Sequence, residues 1–446
     1  MGEGVLMGAE QRVGGSASRK ALLDDAGLVL QHGELAMAGV PLSGIAREVG
    51  TPVYVYNSEA IRNRFRALDL AFAAVPHRIC YAVKANSNLA VLRVLRDLGA
   101  GADLVSAGEM QRALAAGFQP EDLVFSGVGK TTAELKMAIQ AGVGHINVES
   151  LEELERLAVI AEGLGLPASV GLRINPDVTT ETHPYISTSK GGIKFGVPHD
   201  QVGRAADLIQ RHPLLTLSVL AMHLGSQLRD PGPYREGLER LVGLLHLLRS
   251  RGCTTVRALD LGGGLGIRYA EEPGLDPAEL AAVVSPLLEQ AGLPAYFEPG
   301  RFLTGSAGLL LTEVLYRKHS GGRDFVIVDA GMNDLLRPSL YKAHHEIVEV
   351  APAGREVATV DVVGPVCETG DFFALERALP RVEPGELLAL LGAGAYGFVM
   401  SSNYNTRARA AEVLVDGGRM AVVRPREELA DLFGRERADP FATATR

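Results

Sequence analysis

Eight short apolar runs separated by stretches of helical period fill the middle of this 446-residue chain, and few architectures accommodate that alternation. The runs end at Val83-Lys84, Asp103-Leu104-Val105-Ser106, Val124-Phe125-Ser126-Gly127, Ile146-Asn147-Val148-Glu149, Gly171-Leu172-Arg173-Ile174-Asn175, Ala221-Met222-His223-Leu224-Gly225-Ser226, Leu259-Asp260-Leu261-Gly262 and Tyr296-Phe297-Glu298-Pro299-Gly300. Between them, Leu89, Leu92, Leu95 and Leu98 form one apolar helical face, and Leu151, Leu154, Leu157 and Val159 to Ile160 another. Thr131 or Thr132 and Ser150 stand where helix N-caps belong, and Gly117 and Gly142 follow helix ends. Strand–helix alternation repeated this often within about 230 residues predicts a (β/α)8 TIM barrel, placed at residues 50–308.

After residue 308 the pattern changes to period-two runs, 324–329, 358–363 and 386–391, split by Gly and Pro turns, which predicts a second, C-terminal all-β domain over 309–446. Leu28-Val29-Leu30 and Glu34-Leu35-Ala36-Met37 read as a hairpin within residues 21–49 that joins this domain, so the boundary is discontinuous in sequence. The Gly- and Ser-rich residues 1–20 read as a disordered tail. The fold class is thus α/β plus β.

A formal charge of -9 with no basic stripe argues against nucleic acid or an anionic membrane as partner. No apolar run reaches the ~18 residues that span a bilayer. Small molecules remain as ligands. Cys80, Cys253 and Cys367 are odd in number, widely spaced and lack metal-ligand spacing, so neither disulfides nor a metal site is expected, and a cytoplasmic location fits.

Polar residues gather at the C-terminal ends of the predicted strands, the rim on which barrel active sites are built. Lys84, in Tyr81-Ala82-Val83-Lys84-Ala85-Asn86, ends a strand that reads as buried on both faces, so its ammonium must find a partner or lose its proton. Desolvation lowers a lysine pKa and makes the amine a nucleophile toward an aldehyde. His223 offers a ring to stack on a flat ligand and Ser226 a hydroxyl for phosphate. In Gly262-Gly263-Gly264-Leu265-Gly266 the backbone can approach an anion, whereas Tyr269 stands where a dinucleotide fingerprint needs a third small residue. Glu298 can pair with a protonated pyridine nitrogen, Gly300 can approach phosphate and Arg301 can reach substrate. Lysine, histidine, glycines and glutamate together describe a pyridoxal phosphate (PLP) site.

These segments, with Asp329 to Tyr341, Cys367-Glu368-Thr369-Gly370-Asp371 and Gly394-Ala395-Tyr396-Gly397-Phe398, occur in an order that resembles the barrel-type PLP-dependent decarboxylases, and most closely the diaminopimelate decarboxylases. The resemblance, over roughly residues 26–430, implies that Lys84 forms the Schiff base and that Ser226, Gly263, Gly264 and Tyr396 help hold the phosphate. It implies conversion of meso-2,6-diaminopimelate to L-lysine and carbon dioxide. It also implies a homodimer in which Cys367, as proton donor, and Glu368 reach the site of the other subunit, although Lys84 or water could deliver the proton instead. Diaminopimelate carries a second amino-acid head group, so Arg301 and Arg337, with Tyr341 and Tyr396, would clamp its far carboxylate and Glu368 its far ammonium. A lysine, ornithine or arginine decarboxylase has only a cation to recognise there, and an amino-acid racemase needs a far smaller pocket.

Overall fold

The computed structural model describes residues 16–178 and 194–438. Eight parallel strands close into a barrel in chain order: His77–Ala82, Gly101–Leu104, Leu123–Phe125, His145–Val148, Ala168–Arg173, Leu215–Ala221, Ala258–Asp260 and Ala295–Phe297, the last pairing with the first. Their residues are almost continuously buried, because helices cover the outside and side chains fill the inside. Helix starts follow local chemistry. Thr131 and Glu134 form a capping box before Thr132–Ala141, and the Ser150 hydroxyl accepts from Glu153 N before Leu151–Leu164. Gly117 and Gly142 end their helices at φ 93° and 73°, a conformation costly for any residue with a Cβ.

A nine-stranded sheet forms the second unit. At its centre the strand Gly308–Ser320 pairs with Val53–Asn57, Arg323–Val328 and Leu387–Leu390, and Val53–Asn57 pairs on its other side with Ala411–Asp416. Val53–Asn57 therefore lies outside the barrel, although residues 50–308 read as barrel. The reason is its double burial: Val53 and Val55 enter the core shared with the N-terminal segment, while Tyr54 and Tyr56 enter the core shared with the barrel. Helix Ser58–Ala71 follows it and packs on the barrel between the neighbouring helices Leu89–Arg96 and Pro277–Ala291.

The hairpin Leu28–Gln31 with Glu34–Met37 is extended by Val40–Pro41 into a small separate sheet. It meets the large sheet through packing and one backbone bond, Leu35 N to Val350 O at 2.7 Å, rather than by adding a strand to it. Of the tail read as disordered, residues 1–15 lie outside the described residues, and Ser16 to Lys20 instead begin the helix Ser16–Ala26. Leu22 and Ala26 of that helix are buried, which anchors it to the same core. Among the described residues no helix is long and apolar enough to cross a membrane.

Candidate active site

Lys84 sits in a single 3-10 turn, Val83–Ala85, immediately after the first barrel strand. Tyr81 OH donates to Asn86 O at 2.9 Å and ties the turn from below. The β domain holds it from the other side: Asn86 Nδ2 donates to Gly394 O at 3.1 Å, and Tyr396 N to Ala85 O at 2.8 Å. The lysine is thus fixed between two domains.

Its Nζ lies 2.6 Å from Asp103 Oδ2, on the neighbouring strand. Desolvation acts to lower the lysine pKa, but the charges of Asp103, Tyr396 and Glu298 outweigh it and hold the pKa above the usual lysine value. This corrects the expectation that burial alone would depress it. The strand-end ammonium finds a partner rather than losing its proton.

Asp103 is one of three converging carboxylates. Asp260 Oδ1 accepts from Gly262 N at 2.8 Å, while Asp103 Oδ1, Asp260 Oδ2 and Glu298 Oε1 are buried without a hydrogen-bond partner. Burial and the neighbouring Asp103 and Asp260 push Glu298 well above the ordinary carboxylate range, and burial with Asp103 raises Asp260 to about 6. Such a cluster asks for a cation. Above it, His223 Nδ1 accepts from Gly263 N at 3.2 Å, and desolvation, Arg173 and Lys84 hold its ring neutral. The glycines beside it are demanded by close packing: a Cβ on Gly263 would fall 2.2 Å from Glu298 O, and one on Gly300 2.9 Å from Ala85 Cβ.

A second charge cluster has the opposite sign. Arg301 donates from Nη2 to Ser226 Oγ at 3.0 Å and from Nη1 to Tyr269 OH at 2.7 Å, and lies 4.8 Å from the centre of the Tyr396 ring. Arg337 stands 4.8 Å from the Tyr269 ring centre and donates to His345 Nε2 at 3.0 Å. His345 Nδ1 faces Leu391 O at 2.8 Å, so that nitrogen carries the hydrogen and Nε2 is free to accept. Arg301 and Arg337 are only 9% and 6% exposed. Neither forms an ion pair with a carboxylate among the described residues. Tyr341, at the end of helix Arg337–Tyr341, is near enough to act on the Arg301 charge.

Cys367 and Glu368 lie elsewhere on this chain, exposed on a turn of the β domain. Cys367 N donates to Asn405 Oδ1 at 2.8 Å and Tyr404 OH to Glu368 Oε2 at 3.3 Å. Within the chain, no described hydrogen bond or ion pair joins them to the Lys84 cluster. Sequence reading missed the roles of Asp103, Asp260, Tyr269 and His345. The two aspartates at strand ends carried a usable signal, a lysine needing a counter-charge; His345 carried none.

Residues 58–305 match the family model described as the pyridoxal binding domain of pyridoxal-dependent decarboxylases. The chain is 50% identical over 407 residues to the diaminopimelate decarboxylase of Pseudomonas aeruginosa, covering 90% of this chain and 97% of that one. The chain belongs to the diaminopimelate decarboxylase family. The Helicobacter pylori diaminopimelate decarboxylase, solved in complex with L-lysine, superposes with a TM-score of 0.85 at 40% identity, covering 88% of this chain and 98% of that one. Its M. jannaschii counterpart, also in complex with L-lysine, gives 0.88 at 33% identity, with 93% and 98% covered. As in any pyridoxal-dependent diaminopimelate decarboxylase, a cofactor with an aldehyde, a basic ring nitrogen and a phosphate must be held here. The residues fit it: an amine at Lys84, a surplus of buried carboxylate at Glu298, and a glycine loop that excludes side chains.

Proposed function

We propose that the chain removes carbon dioxide from one amino-acid end of meso-diaminopimelate and leaves L-lysine. The observation that carries this reading is the buried pair Arg301 and Arg337, whose charges meet no carboxylate in the described chain and so await one from a ligand. A substrate whose far end is only an ammonium would be repelled there.

Pyridoxal phosphate, when bound, supplies the aldehyde that captures the substrate amine and a ring that accepts the electrons left by departing carbon dioxide. The protein's part is to hold and to move protons. Lys84 carries one on Nζ, where Asp103 Oδ2 at 2.6 Å orients the side chain and holds the ammonium charged until its amine is needed as a nucleophile. Glu298, which burial, Asp103 and Asp260 hold well above the ordinary carboxylate range, would take up its charge against a protonated ring nitrogen placed beside it. His223 stays neutral, so its ring can stack without repelling that nitrogen. Ser226, Gly263, Gly264, Gly300 and Tyr396 form the part of the rim that suits the phosphate, and Arg301, beside Ser226, links this part to the substrate clamp formed with Arg337 and Tyr341. Release of carbon dioxide from diaminopimelate, with none from lysine, ornithine or arginine and no racemisation of alanine, is the expected assay result. Equal use of ornithine would refute the reading.

Arg337→Leu is expected to raise KM for diaminopimelate, because losing one buried charged contact costs about 2 to 5 kcal/mol. Cofactor content measured spectroscopically should remain at the wild-type level. A loss of cofactor in parallel with the loss of diaminopimelate turnover would make Arg337 a structural arginine.

We further propose that Cys367 and Glu368 serve the active site of a second copy, Cys367 returning the proton to the product carbon and Glu368 meeting the far ammonium. Their exposure on a turn, with no hydrogen bond or ion pair to this chain's own Lys84 cluster among the described residues, supports that reading. Lys84→Ala and Glu368→Ala chains, each inactive, should recover about a quarter of wild-type activity when mixed and reassociated, since each heterodimer has one intact site. Heterodimers without activity would overturn the shared site.

A further inference from the structure

Two like charges buried side by side need something between them, and here it is Tyr269. Its hydroxyl accepts from Arg301 Nη1 at 2.7 Å, and its ring centre lies 4.8 Å from the Arg337 guanidinium and 5.8 Å from that of Arg301. The ring stands edge-on to His345, with centroids 5.6 Å apart and planes at 78°. A Cβ on Gly392 would approach Tyr269 Cε1 to 3.1 Å, so the β-domain loop wedges the ring in place. A carboxylate at this position would satisfy the arginines and cancel their charge. A phenol offers one neutral acceptor and a negative ring face, which steadies both guanidiniums and leaves the charge uncancelled.

Resting on the reading of Arg301 and Arg337 as a clamp for the far carboxylate, we propose that Tyr269 is the positioning residue of that clamp, spacing the two forks so that their remaining donors meet a ligand carboxylate. The buried Nε atoms of both arginines lack partners, so orientation, rather than a full set of internal hydrogen bonds, is what the protein supplies. The charged and titratable groups around the phenol are Arg301, Arg337, His345, Tyr396 and Tyr341. Burial acts to raise the phenol's pKa, and the two guanidiniums outweigh it and bring it below the ordinary tyrosine value.

The test compares Tyr269→Phe and Arg337→Leu holoenzymes for steady-state kinetics with diaminopimelate and for calorimetric binding of L-lysine. Lysine, the product, keeps the far carboxylate. Tyr269→Phe should raise KM and the lysine Kd together by about tenfold, the loss of one hydrogen bond to a charged group, with kcat within about twofold and cofactor content unchanged. If Arg337→Leu raises both constants and Tyr269→Phe raises neither, Tyr269 has no positioning role. A fall in kcat and cofactor content along with affinity in Tyr269→Phe would also overturn it, by making the ring a packing element. If Arg337→Leu leaves both constants unchanged, the clamp itself is refuted, a result distinct from the other two.

Discussion

Lys84→Ala is expected to lower decarboxylation by roughly four orders of magnitude and to remove covalent attachment of the cofactor. The lysine lies in a turn fixed from both domains, and among the described residues no other lysine pairs with Asp103. Borohydride reduction of the wild-type holoenzyme followed by peptide mass spectrometry should place the cofactor on Lys84. Label on any other lysine would overturn the assignment. The variant should also melt at a lower temperature, because Asp103, completely buried, loses its counter-charge. Adding Asp103→Asn should restore much of that stability and none of the activity.

Glu298→Gln is expected to slow turnover by about 10² to 10⁴, because an amide cannot hold a ring nitrogen protonated. At the same time the cofactor-free variant should be more stable than the wild type at neutral pH. Glu298 titrates well above an ordinary glutamate in the folded chain, by burial first and then by Asp103 and Asp260. A folded-state pKa raised above the unfolded value gives stability that is present at acid pH and lost as pH rises through the folded pKa. The glutamine has no such loss. The melting-temperature advantage should therefore be largest near pH 8 and vanish near pH 4, and scans across that range measure it. An advantage independent of pH would show that charge crowding is not its source.

The barrel was legible because its strands are short apolar runs ending in polar residues, a pattern that parallel sheets buried on both faces impose. Val53–Asn57 escaped because double burial looks the same in a barrel and in the centre of another sheet. Lys84, Glu298 and Arg301 were legible since each is a charge at the end of an apolar run. The sign of the Lys84 shift was not, because it depends on a 2.6 Å contact with a strand neighbour that spacing alone does not reveal. Tyr269 shows the same limit. In the sequence it only spoiled a glycine fingerprint, and its position between two arginines exists only once helix Arg337–Tyr341 is folded against it.

The pairing of Val53–Asn57 with the first half of Gly308–Ser320 sets the order in which the molecule can be assembled. Tyr56 lies opposite Gly308, so the chain leaves the large sheet, builds the whole barrel and returns to the adjacent position. A nascent chain emerging from the ribosome can complete the barrel while Val53–Asn57 still has an unpaired edge on each side, and that edge stays open until the last third of the sequence is made. Cutting the gene at residue 308 would therefore leave an interior strand of one domain on the fragment that carries the other, whereas the matched stretch 58–305 lies wholly inside the paired ends. In topology the barrel is a long insertion into the sheet domain, and the domain that holds most of the C-terminal third of the chain is the one begun first and finished last.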